Sequence, residues 1–98
     1  MEIVKSPTES KITLCVKGKL SAAAVPEFKA AVEEALGESQ TLVLDFKDLD
    51  YMASAGLRVL VSVRKRLSGG GSLTLINIRS KVREVFEVTG LDEVFTIR

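Results

Sequence analysis

Thr41-Leu42-Val43-Leu44-Asp45-Phe46 is the stretch on which the fold turns. It is apolar at nearly every position, rich in strand formers, and too short for an ordinary helix. Such a run suits a central strand, and here it carries an aspartate near its end.

Working outward, residues 47–52 read as a loop. A helix follows over residues 55–67, with Leu57, Leu60, Val61 and Leu67 on its core face and Arg58, Arg64, Lys65 and Arg66 outside. Ser68-Gly69-Gly70-Gly71 ends it with a flexible turn. Residues 73–78 form the next strand. Residues 80–89 form a third helix, with Val82, Val85 and Phe86 inward and Gly90 beyond its end, and residues 95–97 a last short strand.

Upstream, residues 11–19 alternate: Ile12, Leu14 and Val16 on one face, Thr13, Cys15 and Lys17 on the other. That is a period-two strand, ended by Gly18. Residues 2–5 read as a short preceding strand, with a turn around Pro7. Over residues 24–36 the period lengthens. Val25, Phe28, Val32 and either Ala35 or Leu36 share one side of a helix that Pro26 confines to starting nearby and Gly37 ends. Strands and helices in alternation assemble by right-handed crossovers into an α/β fold with amphipathic helices packed on a sheet. No linker or repeat divides residues 1–98, so a single domain is expected. Cys15, Thr13, Val43 and Ile76 fall on the second faces of their strands, either beneath helices or as a contact surface.

Composition narrows the chemistry. Histidine is absent and Cys15 is the sole cysteine. That removes the usual general base, the commonest metal ligand and any internal disulfide, so no metal site is expected. Fourteen basic against thirteen acidic residues give a net charge of +1, which offers no global attraction to nucleic acid. No run of about 18 apolar residues is present, so stable membrane insertion is not expected, and the single thiol fits a reducing, cytoplasmic setting.

The informative segment is Leu49-Asp50-Tyr51-Met52-Ala53-Ser54-Ala55-Gly56-Leu57. Ser54 stands where an N-cap is wanted, which is its structural reading. Its neighbours suggest more. Ala53, Ala55 and Gly56 allow close approach of a partner, and a phosphate on Ser54 meets free N–H groups and the helix field. Asp45 and Asp50 oppose it if they lie near.

A serine nucleophile fits poorly. Met52 stands where the first glycine of Gly-x-Ser-x-Gly belongs, no histidine is present to activate the hydroxyl, and the lysines that a Ser–Lys pair would use read as exposed. Gly69-Gly70-Gly71 lacks the Gly-Lys-Ser/Thr ending of a phosphate loop and follows a helix rather than a strand. No catalytic residue and no cofactor is expected; the chain is read as a docking module, not an enzyme.

Several segments together resemble the anti-sigma factor antagonists, the small stand-alone bacterial form of the STAS domain. They are Gly18-Lys19-Leu20, Leu44-Asp45-Phe46, the stretch from Met52 through Ser54-Ala55-Gly56-Leu57-Arg58 to Leu60, and Phe86-Glu87-Val88-Thr89-Gly90-Leu91-Asp92-Glu93-Val94-Phe95. The resemblance implies a mixed sheet of four to five strands. It also implies a protein that binds an anti-sigma factor with serine kinase activity and releases the sigma factor. Phosphorylation breaks the complex and a serine phosphatase restores it. The family's phosphorylated serine falls on Ser54, and its strand-end aspartate on Asp45. Partner contacts are implied at Ser21, Asp45, Ala53, Ser54, Ala55, Gly56, Leu57 and Arg58. Ala53 and Ser21 replace carboxylates that many members carry. The alternatives are a scaffold or stress-complex subunit that is never phosphorylated and, from another class, a nucleotide- or lipid-sensing module.

Overall fold

The alternation of Ile12, Leu14 and Val16 with Thr13, Cys15 and Lys17 becomes, in the computed structural model of residues 1–98, a strand with one buried face. This strand, β2 (Ile12–Leu20), pairs antiparallel with β1 (Glu2–Pro7) from Glu2↔Lys17 to Pro7↔Ile12. β1 runs beyond the expected residues 2–5 because Pro7, at the end of an edge strand, withholds no donor the ladder needs. A 3₁₀ turn (Ala22–Ala24) leads into α1 (Val25–Glu38), which buries Phe28, Val32 and Ala35. Pro26 lies in its first turn, and the helix continues through Gly37 to stop at the extended Ser39.

β3 (Thr41–Asp45), β5 (Ser72–Ile76) and β6 (Thr96–Ile97) extend the sheet in parallel, giving the order β1-β2-β3-β5-β6. The helices between them are α2 (Ser54–Leu67) and α3 (Ser80–Val88). The sheet is mixed, since only the β1–β2 pair is antiparallel.

Its sixth member corrects the sequence reading. Residues 49–52, taken as loop, form β4 (Leu49–Met52), which pairs in parallel with the far end of β2. The ladder runs Gly18↔Leu49 but then Lys19↔Tyr51, so Asp50 is an extra residue and the strand bulges. The bulge exposes Asp50 and Tyr51 in succession while Leu49 and Met52 are buried, which erases the period-two signal. It also carries β2 past Gly18, where the strand was expected to end. Gly18 adopts φ 90°, a conformation that only glycine takes at little cost.

All three helices send their buried side chains into one cluster with Leu14, Val16, Leu42, Leu44 and Leu75. In α2 these are Leu57, Leu60, Val63 and Leu67, with Gly56 buried among them. Val63 takes the central place expected for Val61, which is half-buried. Val85 of α3 is likewise half-buried, while Val82 and Phe86 are enclosed. Phe86 meets Phe95 edge-to-face with centroids 5.8 Å apart. The opposite sheet face is left without a helix, and Thr13, Cys15, Val43, Thr74 and Ile76 remain half-exposed there. The glycine turn after α2 is tightly packed at its end. A Cβ on Gly71 would stand 2.5 Å from the carbonyl oxygen of Gln40. No helix is long and apolar enough to cross a membrane.

Candidate functional site

Parallel strands bring their carboxyl ends to one rim, and loops gather there. β2 and β4 end level, Leu20 opposite Met52, and the Ala53 N–H donates to the Leu20 carbonyl at 2.8 Å. Ser21 leaves the rim into the 3₁₀ turn, and Ser54 leaves beside it into α2. Residues far apart in the sequence are thus brought together by one register.

That same hydrogen bond corrects the capping assignment. Ala53 is held extended (φ −74°, ψ 154°) and becomes the N-cap residue, so Ser54 is already the first helical residue. Its hydroxyl makes no capping bond, and its side chain is exposed. Ser54→Ala is therefore expected to change unfolding free energy by less than about 0.5 kcal/mol in a denaturant titration, well below the ~1 kcal/mol of a lost cap.

The small residues differ in what they do. Ala53 and Ala55 are half-buried at the surface. Gly56 is buried: a Cβ there would lie 3.0 Å from Leu20 Cδ2 and 3.3 Å from Met52 Cγ. Its missing side chain brings α2 close against the sheet end, and Leu20 and Met52 occupy the space an approaching partner would need. Leu57 is 3% exposed and packs in the core, so this expected contact residue is buried rather than presented to a partner. It lines a cavity of about 310 Å³ together with Ser54, Arg58, Val61, Thr89 and Leu91. Arg58, one turn after Ser54, is exposed.

Asp45 is 8% exposed, at the end of β3. Its Oδ1 accepts from the Lys47 N–H at 3.0 Å and from Asn77 Nδ2 at 3.1 Å, and Cys15 Sγ lies 3.8 Å from Oδ2. None of these bonds reaches Ser54. The carboxylate ties the chain leaving β3 to the chain leaving β5, where Asn77 holds φ 58°. Asp45→Ala leaves two donors without their acceptor and is expected to cost about 1–3 kcal/mol in a denaturant titration.

Asp50, which could have repelled an anion on Ser54, is engaged elsewhere. It pairs with Arg79, and the two join Lys19, Ser80 and Lys81 around a second cavity at the same rim. Sequence reasoning missed this polar group. Its only trace in the sequence is Asp50-Tyr51, two residues too polar in succession for a regular strand.

A model of the STAS domain matches residues 2–98. BtrV, a proposed anti-sigma factor antagonist of Bordetella bronchiseptica, is 31% identical over 99% of the chain and 85% of its own length. The anti-sigma-B factor antagonist of Listeria monocytogenes is 31% identical over 97% of the chain and 85% of its own. Among solved structures, the anti-sigma factor antagonist SpoIIAA superposes in its unphosphorylated form with a TM-score of 0.84, at 23% identity, over 99% of this chain and 88% of that one. The phosphorylated form of SpoIIAA from Bacillus superposes with a TM-score of 0.76 at 23% identity, over 99% and 91%. At that identity the likeness speaks for the fold.

Proposed function

Because this chain belongs to the STAS domain family, we propose that it is a non-catalytic regulator that binds an anti-sigma factor, and that Ser54 is its switch. The anti-sigma factor is a serine kinase, and binding releases the sigma factor it holds. Ser54 Oγ takes the γ-phosphoryl group of ATP on the kinase and gives its proton to a base there, and ADP leaves. A serine phosphatase reverses the step.

The observation that carries this reading is the state of Ser54. It stands exposed and uncapped on the first turn of α2, with its hydroxyl free for a partner or a phosphoryl donor. Relatives that match nearly the whole chain and are named for anti-sigma factor antagonism support the choice of partner. The docking surface comprises the exposed Ser54 and Arg58 and the half-buried Ser21, Ala53 and Ala55, with Leu57 packed beneath them. Gly56 and Asp45 act from below by holding the helix and the strand ends in place.

The test mixes the chain with a candidate anti-sigma factor kinase and with ATP, and maps the modified residue by mass spectrometry. Modification at Ser54 is the expected result. Modification at Ser21 or Ser80 with Ser54 untouched overturns the assignment. A second reading is favoured by Ala53 and Ser21, which supply no carboxylate beside the switch: a STAS scaffold subunit that is never phosphorylated. Stable binding of the partner with no phosphate transfer would select it.

A further inference from the structure

We propose that Arg58 is the built-in counter-ion for a phosphate on Ser54, so that the modified chain holds its own charge in an internal ion pair. The inference rests on the reading of Ser54 as the modified residue and adds what happens to the group once it is there.

Ser54 and Arg58 are four residues apart on α2, the spacing that places side chains on one helix face about 5–6 Å apart at Cβ. The order is the favourable one, with the anion toward the N-terminus and the cation one turn on. Both side chains are exposed, and both line the same cavity. Arg58 is the one charged residue around that cavity. The wall opposite offers Thr89 and Leu91, and the Thr89 hydroxyl is already bonded to the carbonyls of Val85 and Phe86 at 2.9 and 3.0 Å.

Arg58 takes part in none of the four salt bridges of the fold, so no internal partner has to be given up. Asp50 is held by Arg79, and position 53 is an alanine, so the segment brings no free carboxylate next to the phosphate. A guanidinium presents paired donors that match phosphate oxygens.

Before modification, Arg58 is free to meet an acidic group of the partner. Afterwards the phosphate occupies it, so modification withdraws a contact as well as adding a clash.

The experiment needs no partner. Phosphoserine is placed at position 54 by codon suppression, in the natural background and with Arg58→Gln or Arg58→Lys. The second ionisation of the phosphate is then followed by ³¹P NMR across pH. A cation beside the phosphate favours the dianion, so ionisation in the natural background should fall about 0.3–0.7 pH unit below that of Arg58→Gln, the scale of an exposed ion pair. Arg58→Lys should recover part of the shift, and about 0.5 M salt should shrink it. Equal ionisation in the natural chain and Arg58→Gln overturns the pairing, whatever the partner does. Unchanged affinity for the anti-sigma factor after full modification would instead sink the switch and leave the pairing standing.

Discussion

Phosphorylated at Ser54, the chain is expected to bind its anti-sigma factor on the order of a hundredfold more weakly, about 2.7 kcal/mol. The modification puts about −1.5 to −2 charges where an exposed hydroxyl stood. Stripping water from such a group within an interface costs several kcal/mol unless the partner supplies matched donors. In the free domain the cost is small, because the phosphate stays in water at a helix N-terminus. The loss therefore falls on binding, and the fold is left standing. Ser54→Ala should bind like the natural chain and stay bound in the presence of kinase and ATP. Ser54→Asp should lie between, having less charge and fewer acceptor oxygens. Calorimetric titration of the three forms and the fully modified chain checks this. Affinity within about threefold before and after modification would refute the switch.

Gly56→Phe should be the most damaging substitution at the rim, and for a reason unrelated to docking. Even a Cβ lies 3.0 Å from Leu20 Cδ2, and Leu20 and Met52 are both almost wholly enclosed. A ring has nowhere to go without lifting α2 off the ends of β2 and β4, an overpacking worth about 3 kcal/mol. The denaturation midpoint should fall, and partner binding should fall with it because Ser54 moves. Leu20→Ala should restore part of the stability in the double variant, since it empties the space the ring needs. Arg58→Ala is the control: an exposed change, expected to leave stability within about 0.5 kcal/mol while weakening binding. A Gly56→Phe chain of natural stability that no longer binds would show that the position faces the partner after all.

What the sequence made legible was whatever its periodicity recorded. Alternation marked β2, the apolar run marked β3, and the spacing of Val25, Phe28 and Val32 marked α1. The misreadings share a physical cause: each concerns a residue whose role is set by a distant neighbour. β4 was hidden because the extra residue Asp50 breaks the alternation that would announce it. Ser54 was read as a cap because nothing local reveals that the Leu20 carbonyl fixes Ala53 one residue earlier. Gly56 was read as open surface because a residue without a side chain leaves no sign of being buried. Asp45 is placed among the partner contacts by resemblance, while its hydrogen bonds go inward to Lys47 and Asn77.

The division of β2 between neighbours also bears on when the rim exists. Its first half pairs with β1 across a tight turn and with β3 over Ile12 to Cys15, whereas its last residues wait for β4. Closing Leu20 on Met52 encloses all of α1 and β3 in the loop, an entropic cost met most readily after those elements have docked. The rim that carries Ser21 and Ser54 therefore exists only where these two strand ends have come together. A chain in which those ends are apart lacks this surface, so a partner that binds there selects, and by mass action stabilises, the folded protein.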